Sequence, residues 1–383
     1  MRTIRQLEPR GQRVLVRVDY NVPMTPQGTV ADTLRIEESL PTLRWLKERG
    51  ARLVLMSHLG RPKGASPGLS LRPIAESLSN LIGTPVHFAN SCVGADAQEL
   101  SRTLKDGEVL LLENLRFDAR EEANDASFAR DLARLGDCFV EDAFGTVHRA
   151  HASTVGVPEI LPAYAGFLVE REVEELSKLT RDPKKPYTAV IGGAKIQDKL
   201  PLLKNLLDKI DHLLLGGALG ASVITDSHRP ESPLHGPILD LLESARRASV
   251  QLLLPEDFIL QDGPRGAIHV SADEKVPAGS SAMDIGPRTR ANFRKVISSS
   301  KTVFVNGPLG KAEEEPFSHG TREVLGGLPI EGCTRILAGG DTAGIIRTMG
   351  LGGSFSYIST GGGAALEFIE GRELPGLRVL PDR

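Results

Sequence analysis

The chain is poor in sulfur: its three cysteines, Cys92, Cys138 and Cys333, are odd in number and widely spaced. Neither a disulfide framework nor a zinc cluster is indicated. Aromatic residues make up only 4% of the 383 positions, so base-stacking platforms for single-stranded nucleic acid are not expected. Positive charge is not in excess overall; 46 Lys+Arg stand against 49 Asp+Glu for a net −3, which excludes a generally basic nucleic-acid coat. No run approaches the ~18–20 uninterrupted apolar residues of a membrane span. No apolar stretch follows Met1-Arg2-Thr3-Ile4-Arg5 as a secretion signal would require. A cytoplasmic location is expected. The patterns G-x-x-x-x-G-K-[ST] and G-x-G-x-x-G are both missing, so a P-loop or dinucleotide fold is not supported.

What remains is ordinary in bulk, 40% hydrophobic and 25% charged, and long enough for two or three domains with cores of their own. Short apolar runs recur, each followed by a polar or glycine turn and then a helical pattern. In the first half they are Val14–Val18, Arg52–Met56, Val86–Phe88, Val109–Leu112 and Cys138–Val140; Leu34–Arg49 and Ala126–Leu135 have helical periodicity between them. In the second half they are Tyr187–Ile191, His212–Leu215, Val250–Leu254, Thr302–Val305, Arg335–Ala338 and Phe355–Ile358. Strands alternating with helices predict parallel sheets covered on both faces. The rhythm breaks near 158–186, where Pro158 and Pro162 precede a charged helix around 170–176 and the linker Arg181-Asp182-Pro183-Lys184-Lys185-Pro186. The expected architecture is two doubly wound α/β domains, 1–165 and 187–370, joined by a helix and linker over 166–186, with a central cleft.

Open parallel sheets bind ligands beyond the C-terminal ends of their strands, and there the two halves differ. Residues 1–75 hold 13 Lys+Arg against 6 Asp+Glu, a local excess that suits a small anion. Strand ends in this half read Arg17-Val18-Asp19-Tyr20-Asn21, Ser57-His58-Leu59-Gly60-Arg61, Glu113-Asn114-Leu115-Arg116-Phe117 and Asp142 to His151, which includes Arg149; Arg35 opens the first long helix. The loop MSHLGRPKG (56–64) taken alone reads as a solvated strand-to-helix turn. Several arginines at the ends of their elements point instead to charge-assisted contacts with phosphate and carboxylate. In the second half the strand ends are glycine-rich: Gly192-Gly193-Ala194-Lys195, Gly216-Gly217-Ala218, Asn306-Gly307-Pro308-Leu309-Gly310, Gly339-Gly340-Asp341-Thr342 and Gly361-Gly362-Gly363. Glycine at a strand exit often serves only close packing. Helix N-termini with free N–H groups, however, bind phosphate; Lys195 and Lys199 lie beside them, and Asp341 could hold Mg²⁺ with phosphate oxygens. The pattern reads as a polyphosphate cradle.

These residues fall into motifs: VLVRVDYNVP (14–23), MSHLGRPKG, LLENLRF (111–117), DAFGTVHRAHAST (142–154), GGAK (192–195), NGPLG (306–310), GGDTA (339–343) and STGGGA (359–364). In this order, and spread over nearly the whole chain, they resemble the phosphoglycerate kinase family. The resemblance implies reversible phosphoryl transfer from 1,3-bisphosphoglycerate to ADP, giving 3-phosphoglycerate and ATP, in a two-domain cleft that closes by hinge bending. It implies a glycerate site of Asp19, Asn21, Arg35, His58, Arg61, Arg116 and Arg149. It implies a nucleotide side of Lys195, Lys199, Glu313, Gly339, Gly340, Asp341 and Thr342, with Glu313 on the ribose. Arg35, Lys195, Gly340 and Gly362 would stabilise the transferring group, and Asp341 would carry Mg²⁺. The C-terminal tail, 371–383, is expected to pack back on the first domain, and the protein to act as a monomer without nucleic-acid or membrane partners. Tyr20 stands where the family has Phe. Lys311-Ala312 replaces an apolar pair, Ala218 a third glycine and Ala282-Met283 a Gly-Leu. These last positions would line or adjoin the adenine pocket, so the resemblance leaves its shape and base preference open. A nicotinamide-dependent dehydrogenase and a non-catalytic phosphate-binding module are the rival readings; the first lacks its glycine fingerprint, and the second would not need Lys195 and Arg35 together.

Overall fold

A run such as Leu53-Val54-Leu55-Met56 has no polar face to offer water, and the fold buries it on both sides. The computed structural model describes residues 1–262, 266–271, 281–329 and 331–380. The chain divides into two units, Met1–Val173 with Glu373–Arg383, and Glu174–Arg372.

The first unit is built on six parallel strands: β1 (Arg13–Val18), β2 (Arg52–Met56), β3 (Val86–Phe88), β4 (Val109–Leu111), β5 (Cys138–Asp142) and β6 (Ala163–Ala165), in the order β3-β4-β2-β1-β5-β6. The chain first winds from β1 to one side through β2, then crosses to β5 on the other. That reversal leaves a crevice beyond the C-terminal ends of β1, β2 and β5. Helices cover the faces by ordinary amphipathic spacing. In Arg72–Ile82 the residues Ile74, Ala75, Leu78 and Ile82 turn inward, and Gly83 ends the helix in the left-handed conformation at φ +74°. Asp125 caps Ala126–Ala133 by accepting from the N–H groups of Ser127 and Phe128. Val14, Val16, Leu53, Leu55, Leu43 and Leu78 belong to one continuous core.

Helix Phe167–Thr180 begins in this unit. Its first turn is anchored there by two side chains: Thr42 Oγ1 accepts from Phe167 N–H at 2.9 Å and Asp142 Oδ1 from Leu168 N–H at 3.0 Å. Burial pushes the Asp142 carboxyl up to about 7, against the lowering effect of hydrogen bonds from the Thr42 side chain and the Leu168 and Val169 N–H groups. The C-terminal segment also belongs to the first unit. Gly376 N–H donates to Val147 O at 2.8 Å, and a Cβ at Gly376 would stand 2.7 Å from Thr154 Cγ2. The expectation for the tail extends to residues 381–383, which lie outside the described residues.

The second unit repeats the plan with β7 (Tyr187–Ile191), β8 (His212–Leu215), β9 (Gln251–Leu253), β13 (Thr302–Asn306), β14 (Thr334–Ala338) and β15 (Tyr357–Ser359), parallel and in the order β15-β14-β13-β7-β8-β9. Here the reversal lies between β7 and β13. Val190, Leu214, Val303, Val305 and Leu337 form its core. One feature departs from the strand–helix alternation: β10 (Asp257–Asp262), β11 (Gly266–Ser271) and β12 (Ala282–Ile285) make a separate antiparallel sheet, β11-β10-β12, around Phe258, Leu260 and Val270. Its strands mix polar residues with apolar ones because only one face needs covering, so no apolar run marks them. The three-residue β6 is likewise too short to stand out.

Candidate active site

In the first unit the exits of β1, β2, β4 and β5 share one sheet edge because all four strands run parallel. Gly60, in the loop after β2, has φ +64°, and a Cβ there would stand 2.9 Å from Leu69 Cδ2, so the turn needs glycine. Its N–H donates to Asn21 Oδ1 at 2.9 Å and its carbonyl accepts from Arg116 Nη1 at 2.6 Å. Asn114, fully buried, fixes the same loop: its Nδ2 donates to Leu59 O at 2.8 Å and Leu69 O at 2.9 Å, while its Oδ1 accepts from Arg116 N–H. Two of the expected residues, Asn21 and Arg116, are thus tied together through the backbone of Gly60, leaving Arg61 exposed next to it.

Arg35 is held by Asp19, Nη1 to Oδ2 at 2.6 Å, and Asp19 Oδ1 accepts from Asn21 N–H. Arg116 is also paired with Glu122 at 3.0 Å. His58 sits 5% exposed among arginines. Burial first, then the charges of Arg17, Arg116, Arg149 and Arg35, holds it well below the ordinary histidine range. Arg17 Nη2 lies 3.1 Å from His58 Nδ1. A guanidinium has only donors, so Nδ1 accepts and the single ring proton resides on Nε2. His58 is therefore a neutral hydrogen-bond donor. His151 is pushed down to about 4 by burial and by Arg116, Arg17 and Arg149.

Arg17, read from the sequence as a strand-end arginine but left out of the expected glycerate site, stands at the centre of this cluster. Arg17 is 1% exposed; its Nε donates to Ser153 Oγ at 2.9 Å, and Ser153 in turn donates to Glu121 Oε1 at 2.5 Å. Glu121 is buried and its pKa is raised, mainly by that burial. A charged residue inside the apolar run VLVRV was the available signal, since a fully buried arginine needs a purpose-built set of partners.

The second unit works with backbone. Gly192 and Gly307, at the exits of β7 and β13, are so close that a Cβ on either would collide with the other segment's main chain. Gly339 (φ +129°) precedes helix Gly340–Thr348, and Gly362 (φ +54°) precedes helix Gly363–Ile369. The exits of β14 and β15 therefore turn straight into helix N-termini, where unpaired N–H groups and the helix dipole favour anions. Lys199 is half-buried, and its Nζ donates to Asn306 Oδ1 at 2.5 Å. Burial lowers its pKa, against the opposing pull of Asp198, Glu370 and Asp341. Lys195 and Asp341 are exposed and Thr342 is buried.

Beside this edge lies a cavity of about 240 Å³, lined by Gly193, Ala194, Gly217, Ala218, Ala282, Met283, Pro308, Gly310 and Lys311. Ala218, Ala282, Met283 and Lys311, four of the positions expected at or beside the adenine pocket, line it. A second cavity of about 600 Å³ holds Ala312, Glu313 and Asp341 on its lining. Among the described residues no group of three or more His, Cys, Asp or Glu could cage a metal. Asp341, an exposed carboxylate in the first turn of its helix, fits Mg²⁺ shared with phosphate oxygens, the usual way that ion is held.

A phosphoglycerate kinase family model matches residues 4–372. The chain is 44% identical over 400 residues to the phosphoglycerate kinase of Moorella thermoacetica, covering 100% of this chain and 99% of that one. It is 45% identical over 391 residues to that of Anaeromyxobacter dehalogenans, covering 99% of each. The solved phosphoglycerate kinase of Coxiella burnetii superposes with a TM-score of 0.88 at 35% identity, covering 99% of this chain and 98% of that one.

Proposed function

The chain belongs to the phosphoglycerate kinase family, and on that premise we propose that it moves a phosphoryl group between 1,3-bisphosphoglycerate and ADP, giving 3-phosphoglycerate and ATP. The observation that carries the reading is the convergence of Arg17, Arg35, Arg116 and Arg149 on the buried, neutral His58. A site this cationic suits a ligand bearing both a phosphate and a carboxylate.

In the ATP-forming direction the β-phosphate oxygen of ADP attacks the acyl phosphate. The bond from phosphorus to the carboxyl oxygen breaks, and 3-phosphoglycerate leaves as a carboxylate. In reverse that carboxylate attacks the γ-phosphate of ATP; it is ionised near neutral pH, so neither direction needs a general base. What the protein must supply is in-line placement and stabilisation of charge on a loose transferring group. Asp19, Asn21, Arg35, His58, Arg61, Arg116 and Arg149 bind the glycerate ligand. His58 contributes its Nε2–H without adding charge, and Asp19 anchors the Arg35 guanidinium. Lys199, Glu313, Gly339, Asp341 and Thr342 bind the nucleotide. Arg35 from the first unit, and Lys195 with the N–H groups following Gly340 and Gly362 from the second, would stabilise the developing charge. Mg²⁺, held by Asp341 together with the nucleotide, would neutralise phosphate charge. Reacting atoms must come within ~3–3.5 Å, so both ligands have to be bound before transfer, and water must be kept out to prevent hydrolysis.

The same reading takes the protein to be a cytoplasmic monomer. Three buried, free thiols suit a reducing compartment, and among the described residues no helix is long and apolar enough to cross a membrane. A coupled assay with 3-phosphoglycerate and Mg-ATP tests the activity: acyl phosphate formation that needs both substrates supports it. Nucleotide binding without turnover would leave only a phosphate-binding module.

A further inference from the structure

The two walls of the 240 Å³ cavity come from different sheets. Ala282 and Met283 belong to β12 of the antiparallel sheet, whereas Pro308, Gly310 and Lys311 follow β13 of the parallel one. At the seam between them lies a fully buried carboxylate, Asp284. We propose that Asp284 is a positioning residue for the nucleotide, locking β12 to the segment 307–320 so that the base and ribose walls keep one geometry. The inference rests on reading this cavity as the nucleotide site.

Three contacts make the lock. The backbone of Asp284 pairs antiparallel with Gly310, and beside it Lys311 N–H donates to Met283 O at 2.7 Å. The side chain reaches the far end of the segment: Oδ2 accepts from Gly320 N–H at 2.7 Å, in the first turn of helix His319–Gly326. Oδ1 accepts from Ile285 N–H at 2.8 Å. One residue thus grips the segment at 310 with its main chain and at 320 with its side chain. Between those points lie Lys311, Ala312 and Glu313, which line the two cavities. The fit is close. A Cβ at either Gly310 or Gly320 would collide with the carboxylate, so both positions are shaped around it.

The charge of Asp284 matters as well as its shape. A carboxylate at a helix N-terminus is favourably placed. Burial nevertheless pushes its pKa up to about 7, against the lowering effect of the Gly320 and Ile285 N–H groups and of Arg290 on helix Pro287–Ile297. Glu323, on helix His319–Gly326, raises it further. Above that value both oxygens accept. Below it the carboxyl is neutral, and the hydrogen bonds it accepts from Gly320 and Ile285 lose their charge assistance and weaken.

The test uses the whole chain and adenosine, which has no phosphate to titrate near neutrality. Calorimetry on the wild type should show adenosine bound about tenfold more weakly at ~pH 6 than at ~pH 8, the scale of exchanging a charge-assisted hydrogen bond for a neutral one. Asp284→Asn should remove that pH dependence. It should also raise KM for MgADP about tenfold, with kcat and KM for 3-phosphoglycerate within about twofold. Wild-type adenosine binding that is flat with pH would overturn the proposal whether or not the variant folds. So would a variant that keeps the wild-type slope, or one whose 3-phosphoglycerate KM shifts as much as its MgADP KM. If no adenine nucleotide or nucleoside binds at any pH, the nucleotide reading itself fails.

Discussion

The two units share a plan, six parallel strands whose order reverses beside the first strand of each, yet the anion sites proposed for them are built by opposite means. The first unit spends buried side-chain charge. Arg17, Arg116 and His58 are nearly inaccessible, and each is held by named partners: Ser153 and His58 for Arg17, Gly60 O and Glu122 for Arg116. The second unit uses backbone, with glycines at five strand exits and only a few cations, of which Lys195 is exposed. The difference matches the ligands proposed. A small rigid anion with two charged ends rewards a fixed constellation of guanidinium forks. A polyphosphate chain is longer and variably charged, and rows of N–H groups at helix starts suit it.

The comparison predicts distinct failures on the two sides. The largest effect belongs to Lys195. If its ammonium acts mainly on the transferring group, Lys195→Ala lowers kcat by about 10²–10³-fold while either KM moves far less; steady-state kinetics with near-normal kcat would remove it from the mechanism. Next comes Arg35→Ala, which should weaken 3-phosphoglycerate by ~1.5–3 kcal/mol and leave MgADP binding unchanged, since the residue belongs wholly to the first unit.

A smaller effect is expected from Gly60→Ala. The left-handed backbone would cost about 1–2 kcal/mol, and the loop that positions Arg116 would shift, so both the urea midpoint and glycerate affinity should fall together. An unchanged midpoint would mean the turn relaxes freely. A pH effect of similar size comes from His151, whose pKa is about 4 in the folded chain against ~6.5 unfolded. Its folded pKa is depressed, so the unfolded state binds the proton first, and stability is lost as pH falls from ~6.5 towards 4. Asp142 and Asp284, both raised to about 7, act in the opposite sense. The measurement is therefore the difference between wild type and His151→Gln, which should shrink by about 1–3 kcal/mol on acidification.

The smallest effect concerns base choice. Lys311 faces the cavity and pairs with Glu314 at 2.7 Å on the exposed segment. Lys311→Val should restore an apolar wall and sharpen preference for ADP over GDP or IDP. A ratio of kcat/KM values that does not move would assign selectivity to other lining residues. Ala312 is a poor site for the same purpose: it is 6% exposed, and a larger side chain there would overpack.

Much of this was legible in the amino-acid order because buried parallel strands are continuous apolar runs. Those at 52–56, 86–88, 187–191 and 212–215 coincide with β2, β3, β7 and β8. The motif residues lie where strand ends predict, and Gly60, Gly192 and Gly307 show why glycine is needed there. The antiparallel sheet was not legible, since half-exposed strands such as Asp257–Asp262 carry polar residues without a run. Nor were the residues that act through others. Arg17 hides in a strand pattern and Asp284 in the four residues AMDI, and only three dimensions show Ser153, Glu121 or Gly320 opposite them.

The division of work between the units is most directly tested by crossed calorimetry on the intact protein. 3-Phosphoglycerate and MgADP are each titrated into wild type, Arg61→Ala and Asp341→Ala. The account predicts that Arg61→Ala weakens only 3-phosphoglycerate and Asp341→Ala only MgADP. Either variant weakening both ligands equally, or the pattern reversed, would contradict it.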